Sequence, residues 1–191
     1  MKLEEIEKYV KVNLSEKRFY HSKCVMERCE EIANKIGFDV ETAKKVGILH
    51  DIAKELSPEE KLEYCKKNNI EVDEMEEKNT TLLHAKIGAD IAKKEFGYTD
   101  SMCMAIKAHT TGLPEMDMLS KILFIADRTS MDRNLPDIYY INELLEKSID
   151  ETILYILDKK IELQIQKHAT MHINSIITRN WIINNLINWW D

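Results

Sequence analysis

The sequence predicts an all-α protein folded as a single domain. Glycine and proline are scarce, at 5 and 3 of 191 residues, whereas hairpin-rich β folds and glycine-rich phosphate loops need more glycine. Apolar residues recur at helical spacing along most of the chain, between residues that favour helix starts and ends. No repeat or linker divides the chain, and a chain of this length buries a core without disulfides.

The first two helices are predicted from apolar spacing and end signals. Helix one is placed at residues 3–14, where apolar residues share one side. Ser15 is a suitable cap for the second helix, because its hydroxyl can accept from the first turn. That helix is expected to end near Gly37, a residue that readily adopts the left-handed conformation of a helix end.

Two more helices follow in the first half of the chain. Asp39 is the expected cap of the third, which runs through Gly47 to His50. The fourth begins at 57–60, where a capping serine, a proline and a glutamate stand in the order that starts helices. The acidic stretch 71–78 has no clear period and is predicted to be a surface loop, with a mobile lid as the alternative.

The second half of the chain is also predicted to be helical. A helix from residue 80 or 81 closes at Gly97, and another from about residue 99 ends at His109, before Gly112. The next helix carries Asp127 four residues after Leu123. From residue 137 onward the pattern predicts two or three long, isoleucine-rich helices.

Charge and hydropathy exclude several classes of function. The net charge of −7, from 34 acidic and 27 basic residues, argues against non-specific nucleic-acid binding. No apolar run is long enough to span a bilayer, and the opening residues do not form a signal peptide. The four cysteines form no CxxC pair, so we expect reduced thiols and a cytoplasmic location.

Histidine and aspartate side chains lie on faces of several predicted helices that should point inward. One such histidine is usually a hydrogen-bonded core residue, but several together favour a shared metal centre, because buried carboxylates need counter-charge. Four imidazoles and two carboxylates suit iron, manganese, cobalt, nickel or zinc rather than calcium, and they suffice for two metals. These residues are His21, His50, Asp51, His84, His109 and Asp127.

The ordered set resembles a known family. The pattern H…HD…H…H…D, built on the His50-Asp51 doublet, resembles the HD-domain phosphohydrolases. The flanking stretches 18–22, 83–89 and 108–112 are similar to the bacterial YqeK-type group, the symmetrical bis(5′-nucleosyl)-tetraphosphatases. The resemblance implies an HD-domain helical bundle over residues 1–165, and the apolar pattern of 166–191 predicts a helical extension packed on it. It also implies metal-dependent hydrolysis of diadenosine tetraphosphate to two ADP by a hydroxide that two metals activate.

The resemblance further implies a role for each site residue. One divalent metal, with iron preferred, would be bound by His21, His50, Asp51 and Asp127, and the other by Asp51, His84 and His109. Asp51 would bridge the two metals, and Lys54 would join it in catalysis. The substrate phosphates would be bound by Arg18, Lys54, Thr110, Thr111 and Arg133. The sequence departs from the group's usual pattern at Ser130, Met131 and Asp132, beside this expected substrate rim.

Other interpretations keep the same site. Two of them are enzymes that differ only in substrate: an HD nucleotidase that acts on nucleoside monophosphates, or a phosphodiesterase that acts on cyclic nucleotides. The third is a non-catalytic nucleotide sensor, which would not need six metal ligands. His168 and His172, four residues apart, are interpreted as exposed or capping residues. The apolar end, 181–191, is predicted to pack on the domain, with a homodimer contact as the alternative.

Overall fold

The computed structural model describes residues 1–186, and within that range it contains eleven α-helices, one 3₁₀ turn at Thr80–Leu82 and no β-strand. The all-α prediction is confirmed. The helices are α1 (Leu3–Asn13), α2 (Glu16–Ile36), α3 (Val40–Leu49), α4 (Pro58–Lys67), α5 (Glu74–Lys78), α6 (Leu83–Phe96), α7 (Asp100–Ala108), α8 (Met118–Thr129), α9 (Ile138–Lys147), α10 (Ile149–Gln166) and α11 (Ile173–Asn185).

The residues predicted as helix caps lie at helix ends in the structure. Ser15 accepts a hydrogen bond from the third amide of α2, and Asp39 accepts from the second and third amides of α3. Ser57 and Glu60 form a reciprocal capping box at the start of α4. Gly37 ends α2 at a φ of 72°, the left-handed conformation expected of it.

The prediction of a surface loop at residues 71–78 is wrong, because α5 occupies most of that stretch. Asp73 caps α5 by accepting from the Met75 and Glu76 amides at 2.8 and 2.9 Å. Glu76 accepts from the Asp73 amide and from the Lys86 ammonium at 2.6 Å, and it is only 3 % exposed. A capping box and a tertiary ion pair therefore stabilise a helix too short to show a period in the sequence.

The core forms where α3 packs along α2 and α8 packs on both α2 and α7. Ile32, Ile48 and Ile122 are fully buried there. Gly47 permits the close approach of α3 to α2, since a Cβ at this position would lie 2.8 Å from the Met26 Cα. This packing brings the C-terminal ends of α3 and α7 to the same place in the bundle.

The C-terminal helices pack on this core. α10 packs on α8 and α9, and α11 packs on α10, where its Ile182 is 2 % exposed. His172 caps α11 by accepting from the Asn174 amide at 3.2 Å, as the capping interpretation requires. The division into 1–165 and 166–191 stays a prediction, and the terminal Trp189-Trp190 pair lies outside the described residues.

Two further sequence predictions concern hydropathy and thiols. None of the helices within residues 1–186 combines the length and hydropathy that a bilayer crossing requires. Cys24, Cys29, Cys65 and Cys103 are buried free thiols.

Candidate metal centre

Six polar side chains meet near the middle of the bundle, at the junction of five helices. All are the residues predicted as metal ligands. His50 and Asp51 follow the end of α3, and His109 follows the end of α7. His21 lies on α2, His84 in the first turn of α6 and Asp127 on α8. Asp127 is half-buried, whereas the other five are at most 5 % exposed.

The Asp51 carboxylate stands between two pairs of imidazoles. Its Oδ2 lies 3.5 Å from His50 Nε2 and 3.9 Å from His21 Nε2. Its Oδ1 lies 3.1 Å from His84 Nε2 and 3.6 Å from His109 Nε2. Each oxygen thus faces a different pair of ring nitrogens, which is the geometry of a carboxylate that can bridge two cations.

Asp127 completes one side of the cluster. Its Oδ1 lies 3.0 Å from His21 Nε2 and 3.7 Å from His50 Nε2. On the other side, the Nε2 atoms of His84 and His109 are 3.1 Å apart. Ligand atoms of His21, His50 and Asp127 all lie within 4.8 Å of one another, and so do those of His50, Asp51 and His109.

Backbone carbonyls determine which nitrogen of each ring faces the centre. His50 Nδ1 lies 2.7 Å from the Gly47 carbonyl, and His109 Nδ1 lies 2.6 Å from the Ile106 carbonyl. His84 Nδ1 likewise contacts the carbonyl three residues earlier. Since a carbonyl only accepts, each Nδ1 carries a proton, and each Nε2 faces the centre of the cluster, where a cation could bind it.

Asp132 orients the fourth imidazole. Its Oδ2 lies 2.8 Å from His21 Nδ1, which leaves His21 Nε2 facing Asp127. In the sequence, Asp132 stands out only as a departure from the usual pattern of the similar group. The contact joins residues 111 positions apart, so no local spacing could have found it.

The protonation states suit cation binding. Burial by itself raises the pKa of Asp51, but the surrounding imidazoles, led by His50, outweigh it and hold this pKa well below its usual range. Burial also opposes ionisation of Asp127, yet the hydrogen bond with His21 and nearby positive charge lower the pKa of that carboxyl. Burial lowers the pKa of His84 to about 4. At neutral pH both carboxylates are therefore ionised and His84 is neutral.

Two buried atoms of the cluster have no hydrogen-bond partner among the described residues, His50 Nε2 and Asp51 Oδ1. Leaving a buried polar atom unpaired costs about 1–3 kcal/mol, and more for a charged group. One cation bound at His50 Nε2 and a second bound at Asp51 Oδ1 would satisfy both atoms. Imidazole nitrogens and carboxylate oxygens are donors that first-row divalent metals accept, so the residues present fit a transition-metal site.

Three of the residues predicted to bind phosphate are cationic side chains that lie beside the cluster. An Arg18 guanidinium nitrogen lies 2.9 Å from Asp51 Oδ2, and the Lys54 ammonium lies 3.1 Å from His84 Nε2. An Arg133 guanidinium nitrogen lies 2.6 Å from Asp127 Oδ1. Each is partly exposed, so these side chains form the positive rim of an otherwise buried site.

The two predicted threonines differ in position. The Thr110 hydroxyl lies 3.1 Å from His109 Nε2 and 3.3 Å from His84 Nε2, at the edge of the cluster. The Thr111 hydroxyl is buried and donates to the Gly112 carbonyl at 3.2 Å. Thr111 therefore has its hydroxyl engaged within the turn, and these contacts do not support a direct substrate role for it.

The helical bundle presents a histidine–aspartate doublet to three further imidazoles and a second carboxylate. This donor set is of the kind found in metal-assisted hydrolases. The particular family follows from comparison with known proteins. The family model described as "HD domain" matches residues 18–132, more than half of the chain, and the chain belongs to the HD-domain family.

Similar proteins extend over nearly the whole chain. A Bacillus subtilis protein named "Bis(5'-nucleosyl)-tetraphosphatase, symmetrical" is 28 % identical over 185 residues, covering 96 % of this chain and 99 % of the relative. A Staphylococcus aureus protein of the same name is 29 % identical and covers 95 % of this chain and 94 % of the relative. A solved structure from Clostridium acetobutylicum is described as a predicted HD superfamily hydrolase involved in NAD metabolism. It superposes on this chain with a TM-score of 0.91 and is 32 % identical in sequence. The superposition covers 96 % of this chain and 98 % of that one. The predicted family is confirmed, and so is the prediction of an enzyme.

Proposed function

We propose that this chain is a symmetrical bis(5′-nucleosyl)-tetraphosphatase that hydrolyses diadenosine tetraphosphate to two ADP in a metal-dependent reaction. The observation that carries the proposal is the Asp51 carboxylate, whose two oxygens face two different pairs of imidazole nitrogens. The near full-length similarity to relatives named for this activity selects the substrate class.

The six clustered residues divide into two proposed ligand sets that share Asp51. One consists of His21, His50, Asp51 and Asp127, and the other of Asp51, His84 and His109. When bound, two divalent metals supply an activated water and neutralise phosphate charge. Iron is the preferred metal, with manganese, cobalt, nickel and zinc as alternatives that the same donors accept.

The cationic rim is proposed to bind the polyphosphate. Arg18 and Arg133 can each bind a phosphate with two parallel N–H donors, which fixes the direction of the chain of phosphates. Lys54 lies 3.6 Å from Asp51 Oδ1 and contributes a positive charge where negative charge accumulates on the attacked phosphate. The rim thus places three cationic side chains beside the cluster in a chain whose net charge is −7.

The cleavage itself requires attack at the second phosphorus from one nucleoside. The bond from that phosphorus to the central bridging oxygen breaks, one ADP leaves with the bridging oxygen, and the other ADP keeps the oxygen of water. Since the departing ADP is a weak base, a dedicated general acid is less necessary than in amide cleavage.

Product analysis tests the proposal directly. Protein loaded with Fe²⁺ or Mn²⁺ is incubated with diadenosine tetraphosphate, and the nucleotides are separated by anion exchange. We expect ADP as the sole product. AMP together with ATP would contradict symmetrical cleavage. Phosphate release from AMP, or hydrolysis of a cyclic nucleotide, without turnover of the tetraphosphate would favour the other HD hydrolases. Nucleotide binding without turnover or metal uptake would favour a sensor.

Asp51→Asn tests the bridging role. The amide keeps the size of the side chain but removes the charge that faces both imidazole pairs, so we expect loss of both metals and a fall in kcat/KM of about 10³-fold or more, which is about 4 kcal/mol. Elemental analysis and steady-state kinetics measure these. Asp100→Asn, at an exposed ion pair with Lys93, is the matched control and should behave as wild type. Retained activity in Asp51→Asn would exclude the bridging assignment.

A further inference from the structure

The turn that carries His109 is held from outside by the two C-terminal helices. The Lys160 ammonium, on α10, donates to the Thr110 carbonyl, and the Ser175 hydroxyl, on α11, donates to the Thr111 carbonyl at 3.1 Å. The backbone hydrogen bonds of the described residues supply neither carbonyl with another donor. Two successive carbonyls that follow the ligand His109 thus depend on side chains from a distant part of the chain.

α11 rests directly on the same turn. Gly112 has a φ of 73°, and a Cβ there would lie 2.9 Å from the side chain of Thr178. Thr178 is fully buried and Ser175 is 4 % exposed. Both the positive φ of Gly112 and its contact with Thr178 favour glycine at this position. The turn and α11 therefore pack closely against each other.

The position of this turn decides where one imidazole lies. His109 follows the last residue of α7, so its ring is placed by the turn as much as by the helix. Its Nε2 lies 3.6 Å from Asp51 Oδ1, and the Thr110 hydroxyl lies 3.1 Å from that Nε2. A shift of the turn by a fraction of an ångström would change both separations.

A lysine at position 160, beside the Thr110–Thr111 turn, is energetically unfavourable unless its charge has a partner. It is half-buried, and burial lowers the pKa of its ammonium to about 8. Burying a charged group without partners is unfavourable, and two partners offset that cost: the Asp127 carboxylate attracts the ammonium, and the Thr110 carbonyl accepts its hydrogen bond. No local sequence pattern marks Lys160 or Ser175, and both lie beyond the matched HD segment, residues 18–132.

We propose that Lys160 and Ser175 are positioning residues that hold the Thr110–Thr111 turn, and through it His109, in place for the second metal of the centre. The inference rests on the proposed di-metal site. It assigns the C-terminal helices a part in metal binding, although they contribute no ligand. Outer residues that orient metal ligands typically change metal affinity by about 10–100-fold when removed.

Cobalt titration tests the proposal without turnover. The full-length protein is freed of metal and titrated with Co²⁺, followed by calorimetry and visible absorption. We expect two equivalents in the wild type. In Lys160→Met the first equivalent should bind as before and the second about 10–100-fold more weakly. Lys160→Arg should restore most of the affinity, because a guanidinium also donates to a carbonyl, and Ser175→Ala should weaken the same equivalent.

The matched control is Lys159→Met, at the preceding residue of α10. Lys159 is exposed and pairs with Glu162 at 2.8 Å, so its removal should leave both equivalents unchanged. Circular dichroism and thermal unfolding confirm that each variant is folded. If Lys160→Met is not recovered folded, Ser175→Ala decides the question, since loss of one hydroxyl is a smaller perturbation.

Kinetics separate positioning from substrate contact. With diadenosine tetraphosphate, Lys160→Met should lower kcat at subsaturating metal and leave KM unchanged. Wild-type cobalt binding together with a raised KM would overturn the proposal and make Lys160 a phosphate contact. Unchanged metal binding in both Lys160→Met and Ser175→Ala would also overturn it. A wild-type protein that binds no Co²⁺, Fe²⁺ or Mn²⁺ would instead refute the di-metal site itself.

Discussion

At the scale of single residues, the site depends on which ring nitrogen of each histidine faces the carboxylates. Three imidazoles have Nδ1 against a backbone carbonyl, and His21 has Nδ1 against Asp132. A ring oriented by a backbone carbonyl needs no second side chain, because the carbonyl is placed by the geometry of the helix. Orientation by Asp132 depends on a loop residue, and it is therefore the contact most easily tested by mutation.

Removing Asp132 should weaken the first metal site. We expect Asp132→Ala to lower metal affinity by about 10–100-fold, because the ring of His21 loses its acceptor. Asp132→Asn should retain most of the affinity, since the amide oxygen still accepts from Nδ1–H. Metal titration by calorimetry measures both. Asp100→Ala, at an exposed ion pair with Lys93, is the control. Wild-type affinity in Asp132→Ala would show that the helix alone orients His21.

Arg133 belongs to the rim rather than to the ligand set. Arg133→Ala should raise KM for diadenosine tetraphosphate about tenfold or more, since a hydrogen bond to a charged group is worth about 1.5–3 kcal/mol. Metal content and kcat should change little. Steady-state kinetics and elemental analysis measure these, with Arg179→Ala as control. Because Arg133 also contacts Asp127 at 2.6 Å, loss of metal would mean that it supports that ligand instead.

All six predicted ligands could be found from the sequence, because inward-facing histidines and aspartates stand out among apolar residues at helical spacing. Asp132, Lys160 and Ser175 could not be found in this way. Their partners lie 111, 50 and 64 positions away, and their residue types are ordinary on a helix or in a loop. Only the packed structure shows which polar residue meets which backbone group.

At the scale of elements, three of the six proposed ligands, His50, Asp51 and His109, directly follow helix ends. α3 stops at Leu49 and α7 at Ala108, and a ligand follows each of them directly. A helix end leaves carbonyls without intrahelical partners, and the Nδ1–H groups of His50 and His109 satisfy one such carbonyl each. The same hydrogen bond therefore closes the helix and orients the ligand.

Gly47 couples helix packing to this arrangement. A Cβ in Gly47→Ala would meet the backbone of α2, and the Gly47 carbonyl is the partner of His50 Nδ1. We expect a loss of about 1–3 kcal/mol, which lowers Tm by about 2–12 °C for a chain of this size, together with weaker metal binding. Differential scanning calorimetry and metal titration measure the two effects.

Gly37→Ala is the control for Gly47→Ala. Gly37 has a φ of 72° but no atom within 4 Å of a Cβ, so only the backbone conformation opposes the change. It should cost about 1 kcal/mol or slightly more and leave metal affinity unchanged. If Gly47→Ala were as stable as the wild type, the close approach of α2 and α3 would not constrain the site.

At the scale of the whole molecule, metal binding and stability are linked. The cluster draws ligands from α2, α6 and α8 and from the ends of α3 and α7, so a bound cation connects most of the bundle. The unfolded chain cannot hold these six side chains together. A ligand that binds only the folded state stabilises it according to the ratio of its concentration to Kd.

Chelation should therefore lower the melting temperature. At a free metal concentration 100 times Kd, one site contributes about 2.7 kcal/mol, which corresponds to about 5–11 °C for a chain of this size. Thermal unfolding with added Mn²⁺ and with excess EDTA measures the difference. Asp51→Asn is the control and should unfold at the same temperature in both. Identical Tm values for the wild-type protein in the two conditions would contradict a metal site of useful affinity.

The sequence by itself determined the all-α class, most helix limits and the identity of the six clustered residues. It could do so because apolar period, caps and inward-facing polar residues are local features that a few neighbouring positions fix. The tertiary structure alone decided that each Asp51 oxygen faces its own pair of imidazoles, that α5 is helical through its buried Glu76, and that Lys160 and Ser175 hold the turn after His109. These features depend on contacts between residues far apart in the chain, and such contacts exist only once the helices have packed.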